Sequence, residues 1–161
     1  MIAFLPTIIL RHRKENLKKC SLEGLRDRND LQFLTYPHDP VPFLQSYILL
    51  TLDAPPLTQQ DCASGLFILD ATWRYAAVME RQISQREQWI CRSLPSTFQT
   101  SYPRKQADCP DPERGLASVE ALYISYHILG RKTEGLLDHY YWKNDFLKKN
   151  QERLKETSPL I

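Results

Sequence analysis

The segment Gly65-Leu66-Phe67-Ile68-Leu69-Asp70, continuing directly into Ala71-Thr72-Trp73-Arg74-Tyr75-Ala76-Ala77-Val78-Met79-Glu80, decides the fold. An apolar run this short, closed by an aspartate, matches a buried strand better than a helix. Beyond it, Trp73, Ala76, Ala77 and Glu80 recur at helical spacing and predict a helix over 71–84. A buried strand feeding directly into a helix is the unit from which parallel α/β sheets are built. Ligands in such sheets bind outside the carboxyl ends of the strands, so Asp70 stands where chemistry is expected.

Working outward, Thr7–Leu10, Leu31–Thr35 (LQFLT), Tyr47–Leu52 (YILLTL) and Trp89–Leu94 have the same short apolar character and are expected as strands. The stretch from Pro95 to Gly115 carries Pro103, Pro110 and Pro112 among charges, and reads as a long exposed loop. Leu116, Val119, Leu122, Tyr123 and Tyr126 then form a helical stripe over 116–129, which Gly130 stops. Thr133 is expected to cap a final helix reaching about Leu154, with Leu136, Leu137, Tyr140, Tyr141 and Leu147 on its apolar side. The expected architecture is one α/β domain over residues 1–161, with a largely parallel sheet and C-terminal helices.

Composition narrows the function. The chain has 161 residues, 42% of them hydrophobic and 25% charged, which suits a soluble domain with its own core. Cys20, Cys62, Cys91 and Cys109 are too scattered for a zinc knuckle and read as reduced thiols of a cytoplasmic protein. No metal constellation is evident. The apolar start Met1–Leu10 is interrupted by Pro6 and followed by its charges, unlike a secretory signal, and no stretch reaches membrane-spanning length. Net charge is only +2, yet between Arg11 and Arg28 there are seven Lys/Arg against three acidic residues. Such a band can neutralise phosphates, although a solvated face has the same composition.

Three constellations could carry chemistry. Asp70-Ala71-Thr72-Trp73 combines a carboxylate, a helix start and an aromatic wall, although a capped helix over a core tryptophan would look the same. Leu116-Ala117-Ser118-Val119-Glu120-Ala121 opens a helix with small residues, and Glu120 also suits the dipole there without any function. Arg11-His12-Arg13-Lys14 with Lys18-Lys19-Cys20-Ser21 gathers cations after the first strand, and His12 reads as part of that polar surface. The scattered glycines exclude a P-loop and a dinucleotide-binding fingerprint, and no serine lies in a nucleophile elbow.

These motifs resemble a known family. Asp70-Ala71-Thr72-Trp73 is similar to the D-x-T-W signature of DTW-domain proteins, which include transfer-RNA uridine aminocarboxypropyltransferases. Arg92-Ser93-Leu94-Pro95, Tyr102-Pro103-Arg104-Lys105 and Leu116–Ala121 follow in that family's order. The ends resemble the related ribosomal-RNA enzymes, through the N-terminal basic segment and through Tyr141-Trp142-Lys143-Asn144-Asp145-Phe146-Leu147-Lys148-Lys149-Asn150. The cysteine-rich segment of some transfer-RNA members is absent. The asparagine-proline-rich loop of the ribosomal group is replaced by Ser101–Lys105, so the chain stands between the two branches.

The resemblance implies a SPOUT-like fold with a trefoil knot in its C-terminal half, a monomer, and S-adenosylmethionine as cofactor. The implied reaction moves the 3-amino-3-carboxypropyl group to N3 of a uridine or pseudouridine-type base in ribosomal or transfer RNA. By motif position it implies cofactor contacts at Trp73, Leu94, Leu116 and Ser118, then at Ser21, Thr51 and Leu52. Asp70 is the expected general base. Arg11, Arg13, Lys14, Lys18, Lys19, Arg74, Arg104 and Lys105 are the expected phosphate contacts. An RNA methyltransferase on the same fold, or a non-catalytic RNA- or ribosome-binding module, are the competing readings.

Overall fold

The computed structural model describes residues 4–14, 21–83, 88–103 and 115–157, with the side chain of Trp73 outside the description. Five strands form one sheet: β1 (Thr7–His12), β2 (Leu31–Tyr36), β3 (Tyr47–Leu50), β4 (Gly65–Asp70) and β5 (Ile90–Arg92). Their spatial order is β2-β1-β4-β3-β5, and every neighbouring pair is parallel. The expected α/β architecture with a parallel sheet is therefore present. β1 and β4 lie inside the sheet, which is why their sequences are apolar almost throughout instead of alternating.

Alternate residues of the strands feed two cores. On one face Ile8, Leu10, Leu49 and Phe67 pack with Met79 of α1 (Trp73–Arg81). On the other, Ile9, Leu31, Ile48, Leu66 and Ile68 pack with α2 (Ser118–Leu129) and with Phe146 of α3 (Lys143–Lys149). Leu154 of α4 (Gln151–Glu156) belongs to that second core. α2 ends where Gly130 takes the left-handed conformation, φ 75°, and the Arg131 amide donates back to the Tyr126 carbonyl at 2.8 Å.

Several boundaries differ from the sequence expectation, each for a local reason. β1 runs on through Arg11 and His12, because β2 and β4 flank it and supply partners to that depth. β3 stops at Leu50, leaving Thr51 and Leu52 beyond the strand end. α1 starts at Trp73 behind an extended Thr72, and α2 starts at Ser118 behind an extended Ala117.

The single C-terminal helix expected from Thr133 is not formed. Gly135 is left-handed, φ 84°, and the chain turns there before the two short helices α3 and α4. Between them Asn150, fully buried, accepts from the Gln99 amide at 2.8 Å and donates to the Gln99 carbonyl at 2.9 Å. Its amide thus acts as a strand partner for the segment that follows β5.

Among the described residues no helix is long and apolar enough to cross a membrane. No group of three His, Cys, Asp or Glu side chains is placed there to hold a metal ion.

Candidate functional site

The carboxyl ends of β1, β4, β3 and β5 meet the start of α2. Arg11 and Asp70 stand opposite each other in the β1–β4 register, so their side chains leave the same face of the sheet. Arg11 Nε donates to Asp70 Oδ2 at 3.0 Å, and each residue is only 4% exposed. The other carboxylate oxygen, Oδ1, accepts from Ser118 Oγ at 2.7 Å. One residue further along α2, the Val119 amide donates to Ser21 Oγ at 3.1 Å. Two strands, the turn after β1 and the first turn of α2 are thereby tied at one point.

This geometry bears on the roles expected of these residues. Arg11 is not a phosphate contact, because it is buried and committed to Asp70. Both oxygens of Asp70, the expected general base, are engaged and its side chain is shielded from solvent in the ligand-free chain. The Ser118 hydroxyl donates to Asp70 and the Ser21 hydroxyl accepts from a backbone amide of α2, so each keeps its other hydrogen-bonding function.

Beside these polar contacts lies a small cleft of about 20 Å³, lined by Thr51, Leu52, Ser93, Leu94, Pro95, Ser96, Phe98 and Leu116. It holds together four of the expected cofactor residues, Thr51, Leu52, Leu94 and Leu116, drawn from segments far apart in sequence. Phe98 and Ser96 were not anticipated, since they fall in what reads as an exposed loop; Phe98 is 2% exposed. Ser93 Oγ donates to the Ala54 carbonyl at 2.7 Å, which closes the floor behind the strand ends. Leucine walls with a few hydroxyls between them suit a ligand that is part apolar and part nucleoside.

The cationic segment after β1 divides. Arg13 and Lys14 are exposed, as is Arg74 in the first turn of α1. Lys14 Nζ lies 5.9 Å from the centre of the Tyr75 ring, which brings the β1 end and the α1 start together. His12 is not part of a polar surface: it is 8% exposed and stacked on Tyr75 at 4.0 Å, 7° from parallel. Burial, then the charges of Arg13 and Lys14, hold its pKa below the ordinary 6.5. Its Nδ1 accepts from the Lys14 amide at 3.1 Å. Lys18, Lys19, Arg104 and Lys105 lie outside the described residues, as does the side chain of Trp73.

Glu120 is the site residue that sequence reasoning undervalued. Its side chain is fully buried and accepts four hydrogen bonds: Thr100 Oγ1 at 2.6 Å, the Ser101 and Ala117 amides at 2.8 Å, and Tyr140 Oη at 2.9 Å. Its place in the first turn of α2 suited the helix dipole, and nothing local in the sequence indicated these contacts.

No protein-family model matches the chain, and no curated protein is significantly similar to it in sequence. In three dimensions it is similar to the SAM-dependent rRNA:acp-transferase Tsr3 from Vulcanisaeta distributa, with a TM-score of 0.70 and 22% identity. The match covers 96% of this chain and 83% of that one. What the two share is the fold. It extends over nearly the whole chain.

Proposed function

We propose that this chain is an S-adenosylmethionine-dependent RNA 3-amino-3-carboxypropyltransferase that modifies N3 of a uridine or pseudouridine-type base. The observation that carries the reading is the shared fold over 96% of the chain with a protein described as an SAM-dependent rRNA acp-transferase. The cleft at the strand ends, lined by Thr51, Leu52, Leu94 and Leu116, supports it independently. Ribosomal RNA is the favoured substrate, because the fold neighbour is named for it. The DTW-domain, SPOUT-like and trefoil-knot expectations belong to the same proposal, as does a monomer working in the cytoplasm. Their support is the order of motifs along the sequence and, for the cytoplasm, the four scattered cysteines.

The apolar and hydroxyl side chains lining the cleft suit the cofactor chemically, and the cleft of about 20 Å³ would have to widen to admit it. Thr51, Leu52, Leu94 and Leu116 would hold it, with Phe98 closing the cleft from the side. When bound, it supplies a sulfonium whose attached carbons are electrophilic. The walls decide which of those carbons faces the acceptor. Leu94, Phe98 and Leu116 would exclude water and bury an apolar group of the cofactor. Asp70 orients the start of α2 through Ser118 and is the proposed acceptor of the N3 proton, which leaves as the N3–carbon bond forms and the carbon–sulfonium bond breaks. Arg13, Lys14 and Arg74 are exposed and would neutralise the RNA backbone.

The test uses RNA from cells lacking the protein, incubated with protein and S-adenosylmethionine, then digested to nucleosides and analysed by mass. A uridine-type nucleoside carrying the aminocarboxypropyl group at N3 is the expected product. A methylated nucleoside in its place would replace the proposal with a methyltransferase.

A further inference from the structure

The cleft has two walls that come from different parts of the chain, and one side chain bonds to both segments. Pro95, Ser96 and Phe98 form one wall and Leu116 forms the other. Glu120 Oε1 accepts from Thr100 Oγ1 at 2.6 Å, just past the first wall, and from the Ala117 amide at 2.8 Å, next to the second. Oε2 accepts from the Ser101 amide at 2.8 Å and from Tyr140 Oη at 2.9 Å, anchoring the pair to the chain before α3. The Thr100 hydroxyl in turn accepts from the Tyr102 amide at 3.0 Å, so the segment after Phe98 is folded around the carboxylate.

We propose that Glu120 is a positioning residue for the cleft: its acceptor-only carboxylate sets the spacing between the Phe98 and Leu116 walls, and through it the affinity for S-adenosylmethionine. The inference rests on the proposed function for the identity of the ligand, and on geometry alone for the coupling of the walls. Four donors converge on a group with no proton to offer, in a site with no exposure to water. Such a network holds only while both oxygens accept. An isosteric glutamine turns one oxygen into an N–H donor, and whichever way the amide sits that donor meets a backbone N–H, of Ala117 or of Ser101, that cannot accept. One wall must then move away.

The experiment compares the whole chain with Glu120→Gln and with Tyr126→Phe. Tyr126 pairs with Thr7 Oγ1 at 2.7 Å at the amino end of β1, so its variant loses a buried hydrogen bond remote from the cleft. Amide hydrogen exchange is measured on the ligand-free proteins, and S-adenosylmethionine affinity by calorimetry. For Glu120→Gln, exchange at 99–102 and 117–119 accelerates and affinity falls by roughly tenfold or more, the scale of one unsatisfied buried group. Tyr126→Phe leaves both unchanged.

Thr100→Val, which removes one donor and keeps the carboxylate, shifts both readouts in the same direction by a smaller factor. It carries the test if Glu120→Gln does not fold. Wild-type exchange and affinity in the Glu120 and Thr100 variants would overturn the proposal. So would equal changes in Tyr126→Phe, which would mark general loosening. If the wild-type chain binds no S-adenosylmethionine, the functional reading fails, while the exchange data still judge the coupling of the walls.

Discussion

Arg11 and Asp70 face each other across β1 and β4, in register, and their side chains meet at 3.0 Å with almost no exposure to water. Two residues that look like parts of a surface and of a catalytic centre are thus a buried ion pair holding the carboxyl edge together. Ser118 extends the pair onto α2, at 2.7 Å from the second oxygen.

Breaking one side of that pair leaves a buried charge without compensation, which costs about 3–5 kcal/mol. Asp70→Ala is therefore expected to lose stability on that scale in urea unfolding. Arg11→Met combined with Asp70→Leu is expected to lose much less than the sum of the single changes. Additive losses would mean the two charges are not coupled.

His12 gives the fold an acid sensitivity with a defined sign. Its folded pKa lies below 6.5, so the folded state prefers the neutral ring. The stabilisation is present above the unfolded pKa, about 6.5, and is lost as pH falls through the lower folded value. The His12 ring protons, followed by NMR, should titrate below 6.5, and His12→Phe should flatten the loss of stability on mild acidification. A midpoint above 6.5 would contradict the stacked, buried placement.

Asn150→Leu removes the partners of the Gln99 amide and carbonyl at once. Each buried backbone group left unsatisfied costs about 1–3 kcal/mol. Thermal unfolding should show a lowered midpoint, and Asn150→Asp should not restore it, because a carboxylate cannot donate to the Gln99 and Phe146 carbonyls.

If Arg13, Lys14 and Arg74 neutralise phosphates, replacing all three with glutamine should reduce the slope of log affinity against log salt by about 2–3, at about 0.7–0.9 per contact. Replacing Arg11 should leave that slope unchanged, since it is buried. Filter binding across a salt series reads both.

Much of the fold was legible because its signals are local. The GLFILD strand, the helix after Thr72 and the stop at Gly130 all follow from a few neighbouring residues. The site was legible only in part. Thr51, Leu52, Leu94 and Leu116 do share one cleft, but what the charged groups do depends on partners that no window of sequence contains. Asp70 finds Arg11 59 residues away, and Gln99 finds Asn150 51 residues away. An arginine within a strand reads as surface until the strand on its far side is known. The helix expected from Thr133 failed for a related reason: Asn150 makes its hydrogen bonds to a distant backbone, and Gly135 takes a conformation that helical spacing does not reveal.

The central claim is the identity of the transferred group, and paired incubations test it most directly. Unmodified RNA is treated with the protein and S-adenosylmethionine labelled either in the carboxyl group or in the methyl group. The account predicts that carboxyl label enters RNA, in the size range of ribosomal RNA, and that methyl label does not. Methyl label alone, or neither label with RNA from cells lacking the protein, would contradict it.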